Sequence, residues 1–501
     1  MGKLSGDKMA GKKREYRYYL VIVLSVFVIF VGLAFYFHHW QKTHKTGDRV
    51  IIRIFPQSDD QVAKLRRMKF IKKEQVVADF VEVSGRFRDV LTLNNAGIPS
   101  VIVIESEQQE TVDPVYPGYA QILAEIDSLK AAHSDIVRVE EIGRSQHQKR
   151  PIIAVQISEY GAGKNRIKPA VLFMAGQHAR EPVGIQVCLG IVRRLVTHQA
   201  EPEVANWLTN LSVWVVPCLN PDGYDYVIAN HLKFPWWRKN LHDNNQNSIF
   251  EPDSDGVDLN RNYNFNWSDG GSDQPETWYY RGTAPVSESE TRALVNLANR
   301  ERFVLAVDYH SFGESVLFPW ANEMKPPDAE LIRDVAAHLA DRLERNRKGK
   351  KYRTIPLNGK SGQSANWLYA KFRTLAFIVE TGDEYFPSFR EIAGLVESQW
   401  QGVTYLLNRT LQAGVSGFVR NKNRGTGVDA ILQAEFDFSP VVAPGRTDAK
   451  TGFFYRLLLP GKYTFQVSAA GYREKTIASV IVPAERNKKL SITLARLPGN
   501  E

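Results

Sequence analysis

Residues 170–184 read AVLFMAGQHAREPVG, and this stretch decides the fold. The run 170–175 is apolar throughout, which is typical of a strand buried on both faces of a sheet. A short turn follows, and residues 185–198 (IQVCLGIVRRLVTH) then have helical spacing. A strand that runs through a loop into a helix lets side chains three positions apart converge, so we expect His178 and Glu181 to face one point.

Strand and helix patterns alternate over the whole region from about Tyr119 to Leu411. Apolar runs that predict strands are separated by stretches of helical spacing, such as 287–301. This alternation predicts an α/β fold with a mixed or parallel sheet and helices on both faces. The strand-like runs are PIIAVQIS (151–158), AVLFMAG (170–176), LSVWVVPCLN (211–220), FVLAVDYHS (303–311) and LAFIVET (375–381).

A metal site is the first chemistry that these strand ends indicate. His178 and Glu181 offer a nitrogen and an oxygen of the kind that zinc binds. The spacing alone is weak, because a surface histidine beside a salt-bridging glutamate gives the same letters. His310 ends another apolar strand, where functional side chains gather in open α/β sheets. With two cysteines in the chain, a thiolate zinc site is excluded, so these three side chains are the candidate ligands.

Two carboxylates extend this candidate site. Glu380 ends the strongly apolar run 375–380, where a carboxylate is either desolvated or has a charged partner. A zinc ion with an open coordination position would be that partner, and Glu380 would then act as a general base on water. Asp258, in the stretch VDLNRNYNFNW (257–267), is suited to orient a histidine ligand through its second ring nitrogen.

Two arginines are suited to bind groups of a substrate. Arg261 carries a planar fork of donors that matches the geometry of a carboxylate. Arg238, in PWWRKN (235–240), is a cation beside bulky apolar residues, which suits the stabilisation of an oxyanion. The alternative for Arg238 is an ordinary basic loop residue that stacks on a tryptophan.

These motifs together resemble a known family. In their order along the chain, they are similar to the zinc metallocarboxypeptidases of the carboxypeptidase A/B and N/E type. The resemblance implies an α/β/α sandwich with a mixed eight-stranded sheet and one zinc ion per chain. It also implies an enzyme that hydrolyses the C-terminal peptide bond of peptides or proteins. The motifs that carry it are HARE (178–181), NPDGY (220–224), WWRK (236–239), DLNRNYN (258–264), DYHS (308–311) and FIVET (377–381).

The resemblance implies a role for each site residue besides the zinc ligands. Glu380 matches the general base that later donates its proton, and Arg238 matches the residue that polarises the scissile carbonyl. Asn260 and Arg261 match the pair that grips the terminal carboxylate, and Arg180 matches an accessory contact along the substrate path. Two alternatives stay open: an amidase acting on cell-wall peptides, and a catalytically weak binding protein on a carboxypeptidase-like scaffold.

One departure from the family pattern concerns substrate binding. The resemblance implies a mobile tyrosine before the S-G pair at 361–362, and Asn358 occupies that position. Because neither the zinc ligands nor Glu380 depends on this tyrosine, we expect altered substrate binding rather than loss of the chemistry. The base of the pocket that selects the substrate side chain is expected near Ala365.

Residues 18–37 (YYLVIVLSVFVIFVGLAFYF) form a run of twenty residues without a charge. Twenty helical residues span about 30 Å, the thickness of a bilayer core, which predicts a transmembrane anchor. The tail 1–17 is more basic than the segment after the span, so we expect a cytoplasmic tail and a periplasmic or extracellular catalytic domain. A cleaved signal peptide is the alternative, although the apolar run is long for one.

Smaller domains are predicted on both sides of the catalytic domain, 119–411. Residues 49–105 alternate strand and helix, and by pattern they resemble the activation segment of the A/B branch. Residues 414–498 contain short β runs between Gly, Pro and Asp turns, which predicts a β-sandwich. This last domain is similar to the transthyretin-like domain of the N/E branch.

The net charge of +9 does not indicate a nucleic-acid partner. Residues 1–17 contain six Lys or Arg against two carboxylates, so four of the nine charges lie in that tail. No basic stripe with interleaved aromatic residues follows, which excludes the usual pattern of a nucleic-acid-binding surface. The expected partners are therefore peptide or protein C-termini and, through residues 18–37, a membrane.

Overall fold

The computed structural model describes residues 49–54, much of 61–104, 116–160, 167–229, 236–320, 325–345, 349–357 and 362–498. The predicted basic tail 1–17 and transmembrane span 18–37 lie outside the described residues. Among the residues that are described, no helix is both long enough and apolar enough to cross a bilayer. The chain divides after Ser106 into two compact units.

The first unit contains a four-stranded sheet and a helix. β1 (Arg49–Ile54) pairs antiparallel with both β3 (Phe80–Arg86) and β4 (Ser100–Ile104), and β2 (Val76–Val77) pairs with the other side of β3. Helix α1 (Phe87–Asn95) follows β3 directly. A small apolar core stabilises the unit. Its buried side chains are Ile52, Ile54, Leu65, Val83, Val90, Leu93 and Ile98.

The second unit is built on a mixed eight-stranded sheet, which confirms the predicted α/β fold of the catalytic domain. Its strands are β5 (Val137–Arg144), β6 (Pro151–Ile157), β7 (Ala170–Ala175), β8 (Ser212–Val216), β9 (Leu305–His310), β10 (Ser315–Phe318), β11 (Arg353–Pro356) and β12 (Leu375–Glu380). Their order is β11-β10-β12-β9-β7-β8-β6-β5. The four central strands β12, β9, β7 and β8 are parallel, and β10 and β6 flank this block in the antiparallel direction. Central strands buried on both faces explain the continuous apolar runs in the sequence.

Helices cover both faces of this sheet. One face packs α2 (Tyr119–Ala132), α3 (Pro182–Thr197), α4 (Pro202–Asn210), α5 (Pro221–Ala229), α7 (Ala329–Arg342) and α9 (Phe389–Leu411) into the larger core. The other face packs α6 (Ser289–Glu301) and α8 (Ser364–Phe372). Helix α3 is buried on almost every side, which accounts for its nearly continuous apolar sequence.

Two further sheets follow α9 and share one apolar core. The three-stranded sheet has the order β16-β13-β19, and the four-stranded sheet has the order β15-β14-β17-β18. Their side chains interdigitate in a core that includes Val415, Phe465 and Ile492. The likeness to transthyretin and the domain boundaries stay predictions. The strands are β13 (Gly414–Asn421), β14 (Ile431–Ala434), β15 (Gly445–Arg446), β16 (Phe453–Leu457), β17 (Gly461–Ser468), β18 (Lys475–Val482) and β19 (Asn487–Leu494).

A buried cluster of four charges connects the C-terminal sheets to the eight-stranded domain. Arg456 donates to Asp328 (Nη2–Oδ1, 2.9 Å) and to Asp437 (Nη2–Oδ1, 2.6 Å). Arg373 contacts the same two carboxylates, at 3.0 Å from Asp328 and 3.2 Å from Asp437. Each charge has two partners of opposite sign, which offsets the desolvation cost of burying it. The cluster therefore fixes the C-terminal sheets to the domain that carries the candidate site.

Candidate active site

Three buried side chains converge beyond the carboxyl ends of β7 and β9: His178, Glu181 and His310. His310 Nδ1 lies 2.9 Å from His178 Nδ1 and 2.9 Å from Glu181 Oε2. His178 Nδ1 lies 3.0 Å from Glu181 Oε1. The structure thus brings the three predicted ligands to one point, and no other group of this kind occurs in the part of the chain that it describes.

Each histidine directs its other ring nitrogen at a buried carboxylate. His178 Nε2 lies 3.1 Å from Asp258 Oδ1, and His310 Nε2 lies 3.0 Å from Asp308 Oδ2. In the tautomer with its proton on Nε2, each imidazole donates an N–H hydrogen bond to the carboxylate. The lone pair of Nδ1 then faces the point at which the three side chains converge. Two such nitrogens and a carboxylate form a donor set that fits zinc with one open position.

Asp308 is a site residue that the sequence analysis missed. It stands two positions before His310 on β9, and this spacing places both side chains on one face of the strand. The motif DYHS therefore contained the signal. Asp308 Oδ2 also accepts a hydrogen bond from Ser364 Oγ at 2.6 Å, so the carboxylate is held in place from two sides.

The start of helix α3 explains the position of Glu181. Pro182 is the first helical residue, where its missing N–H costs nothing, and Glu181 becomes the residue just before the helix. The carboxylate accepts a hydrogen bond from the backbone N–H of Ser311 (3.2 Å) as well as facing both histidines. The Glu181-Pro182 pair therefore ends the loop and begins the helix at the point where the Glu181 carboxylate reaches the two histidines. His178, Glu181 and His310 are called the metal group below.

Glu380 lies beside the metal group because of the sheet register. It is paired with His310 across the parallel strands β12 and β9, and with Ser315 of β10 on the other side. A Cβ added at Gly313 would lie 3.2 Å from the Cβ of Glu380, so the glycine leaves room for this side chain. Burial raises the pKa of Glu380 to about 7. The Glu380 carboxyl group is therefore buried beside the candidate metal ligands, where it could accept a proton from water.

Arg238 is buried between two carboxylates of the site. Its Nε donates to Asp258 Oδ2 at 3.0 Å, and its Nη1 lies 3.5 Å from Glu181 Oε1. Burial disfavours the charged guanidinium, but Asp258 and Glu181 hold the pKa of Arg238 above its ordinary value. Arg238 is therefore part of the metal group's surroundings rather than an exposed loop residue.

Arg261 is a buried guanidinium with no carboxylate within ion-pair distance among the described residues. Its Nη1 donates to the backbone carbonyl of Asn260 at 2.7 Å. Burial lowers the pKa of Arg261, which reflects the cost of holding this charge away from water. An anionic ligand would remove that cost, so the side chain is suited to bind one.

Asn260 and Arg180 complete the predicted set. Asn260 Oδ1 accepts from the backbone N–H of Ser364 (2.9 Å), and its Nδ2 lies 3.3 Å from His310 Nε2. The Arg180 guanidinium carbon lies 4.7 Å from the ring centroid of Tyr385. The structure thus places Asn260 against the metal group and Arg180 on an aromatic side chain.

This fold and this group of residues define a metal-dependent hydrolase. Residues 122–402 match the family described as zinc carboxypeptidase, and the chain belongs to this family. It is a metallocarboxypeptidase, and zinc is its cofactor.

Similar proteins agree with this assignment. Carboxypeptidase A4 of Mus musculus is 30% identical over 304 residues, which cover 58% of this chain and 69% of that protein. Carboxypeptidase A2 of Rattus norvegicus is 26% identical over 404 residues, which cover 72% of this chain and 93% of that protein. The crystal structure of carboxypeptidase A from Helicoverpa armigera shares the fold, with a TM-score of 0.60 at 20% identity, over 72% of this chain and 97% of that one.

Proposed function

We propose that this chain is a membrane-anchored carboxypeptidase that removes C-terminal residues from peptides or proteins outside the cytoplasm. The observation that carries the enzymatic part is the convergence of His178, Glu181 and His310, with Glu380 in register beside them. The anchored, extracytoplasmic part rests on the uncharged run 18–37 and the basic tail before it.

The metal ligands prepare the site for catalysis. His178, Glu181 and His310 would hold zinc, which supplies a Lewis acid and lowers the pKa of water. Asp258 and Asp308 fix the two imidazole rings through their Nε2 atoms, so the Nδ1 atoms stay directed at the ion site.

Arg261 determines which peptide bond of the substrate reaches the reacting groups. Its guanidinium binds the free carboxylate at the end of the substrate chain, with Asn260 beside it. Fixing this end group places the last peptide bond, and no other, at the reacting groups, which also supplies proximity. The absence of a carboxylate partner for Arg261 among the described residues supports this role.

Proton transfer and charge stabilisation are assigned to Glu380 and Arg238. Glu380 takes a proton from the attacking water and passes it to the leaving amine, and its place in register with His310 holds the carboxylate beside the ion site. Arg238 stabilises the negative charge that develops on the scissile carbonyl oxygen. Its contacts with Asp258 and Glu181 orient the guanidinium before substrate arrives.

A peptide panel tests the enzymatic part. The full chain, purified in detergent and loaded with zinc, is incubated with peptides that differ in their last residue and with the C-terminal amides of the same peptides. We expect release of single C-terminal residues from the free acids, with a kcat/KM at least about a hundredfold above that for the amides. Equal rates on the acids and on the amides would contradict the proposal, as would the absence of release from every free acid in the panel.

Membrane fractionation tests the anchor. We expect the full chain to stay in the membrane pellet after alkaline carbonate extraction and to enter the supernatant only with detergent. Protease added to the outer side should digest the catalytic domain. Recovery of the full chain in the aqueous fraction would contradict anchoring.

A further inference from the structure

The ring of Tyr279 contacts both arginines that face the substrate in the proposed function. Its ring centroid is 5.1 Å from the guanidinium carbon of Arg238 and 5.3 Å from that of Arg261. Both arginines are buried, whereas Tyr279 is half-buried. Tyr279 is thus the most exposed member of the three, and one ring contacts both guanidinium groups.

The contact of one aromatic ring with two guanidinium groups has an electrostatic reason. Two like charges repel when they are buried close together, and the negative face of an aromatic ring attracts each of them. Arg238 is also oriented by Asp258 and Glu181, whereas the Arg261 side chain donates one hydrogen bond, to the Asn260 carbonyl, and has no carboxylate partner among the described residues. The ring of Tyr279 is therefore a further contact that restrains the Arg261 side chain.

The backbone around Tyr279 is anchored to the site. The Tyr279 carbonyl accepts from the N–H of Ser272 at 2.8 Å, and the neighbouring Tyr280 carbonyl accepts from the N–H of Asp258 at 2.8 Å. Gly271 has a positive φ of 71°, and a Cβ there would lie 2.9 Å from the Tyr279 carbonyl oxygen and 3.3 Å from the Cβ of Arg261. Tyr279 is thus held on a tight loop that packs directly against Arg261.

We propose that Tyr279 is a positioning residue for substrates with a free α-carboxylate. Its ring holds Arg261 at a fixed spacing from Arg238, so that the terminal carboxylate and the scissile carbonyl of one substrate are bound together. This rests on the roles of Arg238 and Arg261 in the proposed function. Selection for a free C-terminus then depends on an aromatic ring as well as on a guanidinium group.

Steady-state kinetics of Tyr279→Leu, Tyr279→Met and Tyr279→Phe in the zinc-loaded full chain test the proposal. With the ring removed by Leu or Met, we expect KM for a free-acid peptide to rise about tenfold, with kcat within about threefold of the parent. For the amide of the same peptide, kcat/KM should change less than about threefold. Tyr279→Phe keeps the ring and lacks only the hydroxyl group, so we expect its KM to equal that of the parent. If the hydroxyl group were the part that matters, KM would rise in this variant as well.

Calorimetry in a Glu380→Gln background gives a readout that does not depend on turnover. Adding Tyr279→Leu or Tyr279→Met should weaken binding of the uncleaved free-acid peptide about tenfold. Tyr226→Leu is the matched control, because Tyr226 packs on Trp237 (6.1 Å) and Phe250 (5.0 Å) in the neighbouring aromatic cluster. We expect this control to leave the dissociation constant within about threefold of the parent.

The outcomes separate the two proposals. A parent enzyme that discriminates acid from amide, with ring-free variants that discriminate equally well, overturns the role of Tyr279 and leaves that of Arg261 intact. Equal losses on acid and amide overturn it as well, as does a Phe variant as weak as the Leu variant. A parent that treats acid and amide alike overturns the assignment of Arg261 together with that of Tyr279.

Discussion

Glu380 and His310 are direct partners in register across the parallel strands β12 and β9. The proposed general base and one proposed zinc ligand are therefore spaced by the sheet itself rather than by a flexible loop. Functional side chains on regular elements are held more accurately than those on loops. This relationship makes the role of Glu380 separable from metal binding by mutation.

Glu380→Gln should keep zinc and lose turnover. The amide fills the same space but cannot accept a proton from water, so we expect kcat to fall by about a thousandfold. Zinc content by atomic absorption should stay at one ion per chain. Near-normal activity in a zinc-loaded Glu380→Gln sample would show that another group is the base.

Asp308→Asn should weaken zinc binding. The amide can turn its NH₂ group towards His310 Nε2 and disturb the tautomer that presents Nδ1 to the ion. We expect the affinity for zinc, measured by competition with a chelator, to fall about 10- to 100-fold. Asp429→Asn, which alters an exposed ion pair with Arg446, should leave the affinity unchanged. Equal affinities for the parent and Asp308→Asn would remove Asp308 from the site.

Arg261→Ala should affect peptides with a free C-terminus far more than blocked ones. Loss of a buried charge pair with the terminal carboxylate is expected to reduce kcat/KM on free acids by about a hundredfold or more. The same substitution should change the rate on C-terminal amides only slightly. Parallel losses on the two substrate classes would mean that Arg261 supports the fold rather than the carboxylate.

The charge cluster between the C-terminal sheets and the eight-stranded domain should be essential for stability. Asp437→Asn leaves Arg456 and Arg373 with one carboxylate between them, and breaking such a buried pair costs about 3–5 kcal/mol of unfolding free energy. Chemical denaturation measures this change. Arg446→Met is the control, because its pair with Asp429 is exposed and contributes about 0–1 kcal/mol. Similar small effects for both variants would contradict the structural role of the cluster.

The free energy of unfolding should decrease as pH rises from weakly acidic to weakly alkaline, and the cause is Glu290. This carboxyl group is fully buried near Glu288, and burial raises its pKa to about 8. Between about pH 4.5 and 8 the folded chain keeps a proton that the unfolded chain has released, so the free energy of unfolding decreases as pH rises.

Glu290→Gln removes this titration. We expect the variant to be more stable than the parent at pH 8, by a margin on the order of a few kcal/mol, and to gain less at pH 5. Thermal unfolding at both pH values measures the difference. An identical effect of the substitution at pH 5 and pH 8 would show that Glu290 titrates normally.

Much of the site could be predicted because its residues stand at the ends of apolar strands. His310 and Glu380 were predicted in this way, and the eight-stranded mixed sheet followed from the resemblance. Asp308 was missed although the motif DYHS contained the signal, since only the folded strand shows that its carboxylate reaches the second ring nitrogen of His310. The contact of Tyr279 with Arg238 and Arg261 could not be predicted, since it depends on a tight loop that folds back onto the site.

The base of the substrate pocket stays a prediction. Ala365, near which the pocket base was expected, is buried in the apolar cluster with Leu368 and Ile378. Sequence order locates a residue along a helix, but which of its sides faces a cavity depends on how that helix packs on the sheet.

Two of the three proposed donors lie on the loop after β7, the third ends β9, and the proposed base ends β12, so the site draws on residues from 178 to 380 of the chain. No short fragment contains more than two of the three donors. A chain emerging from a ribosome or a translocation channel therefore has no complete ion site until these distant strands have aligned. We expect ion capture to be a late event, and ion retention to report that assembly of the central sheet is finished.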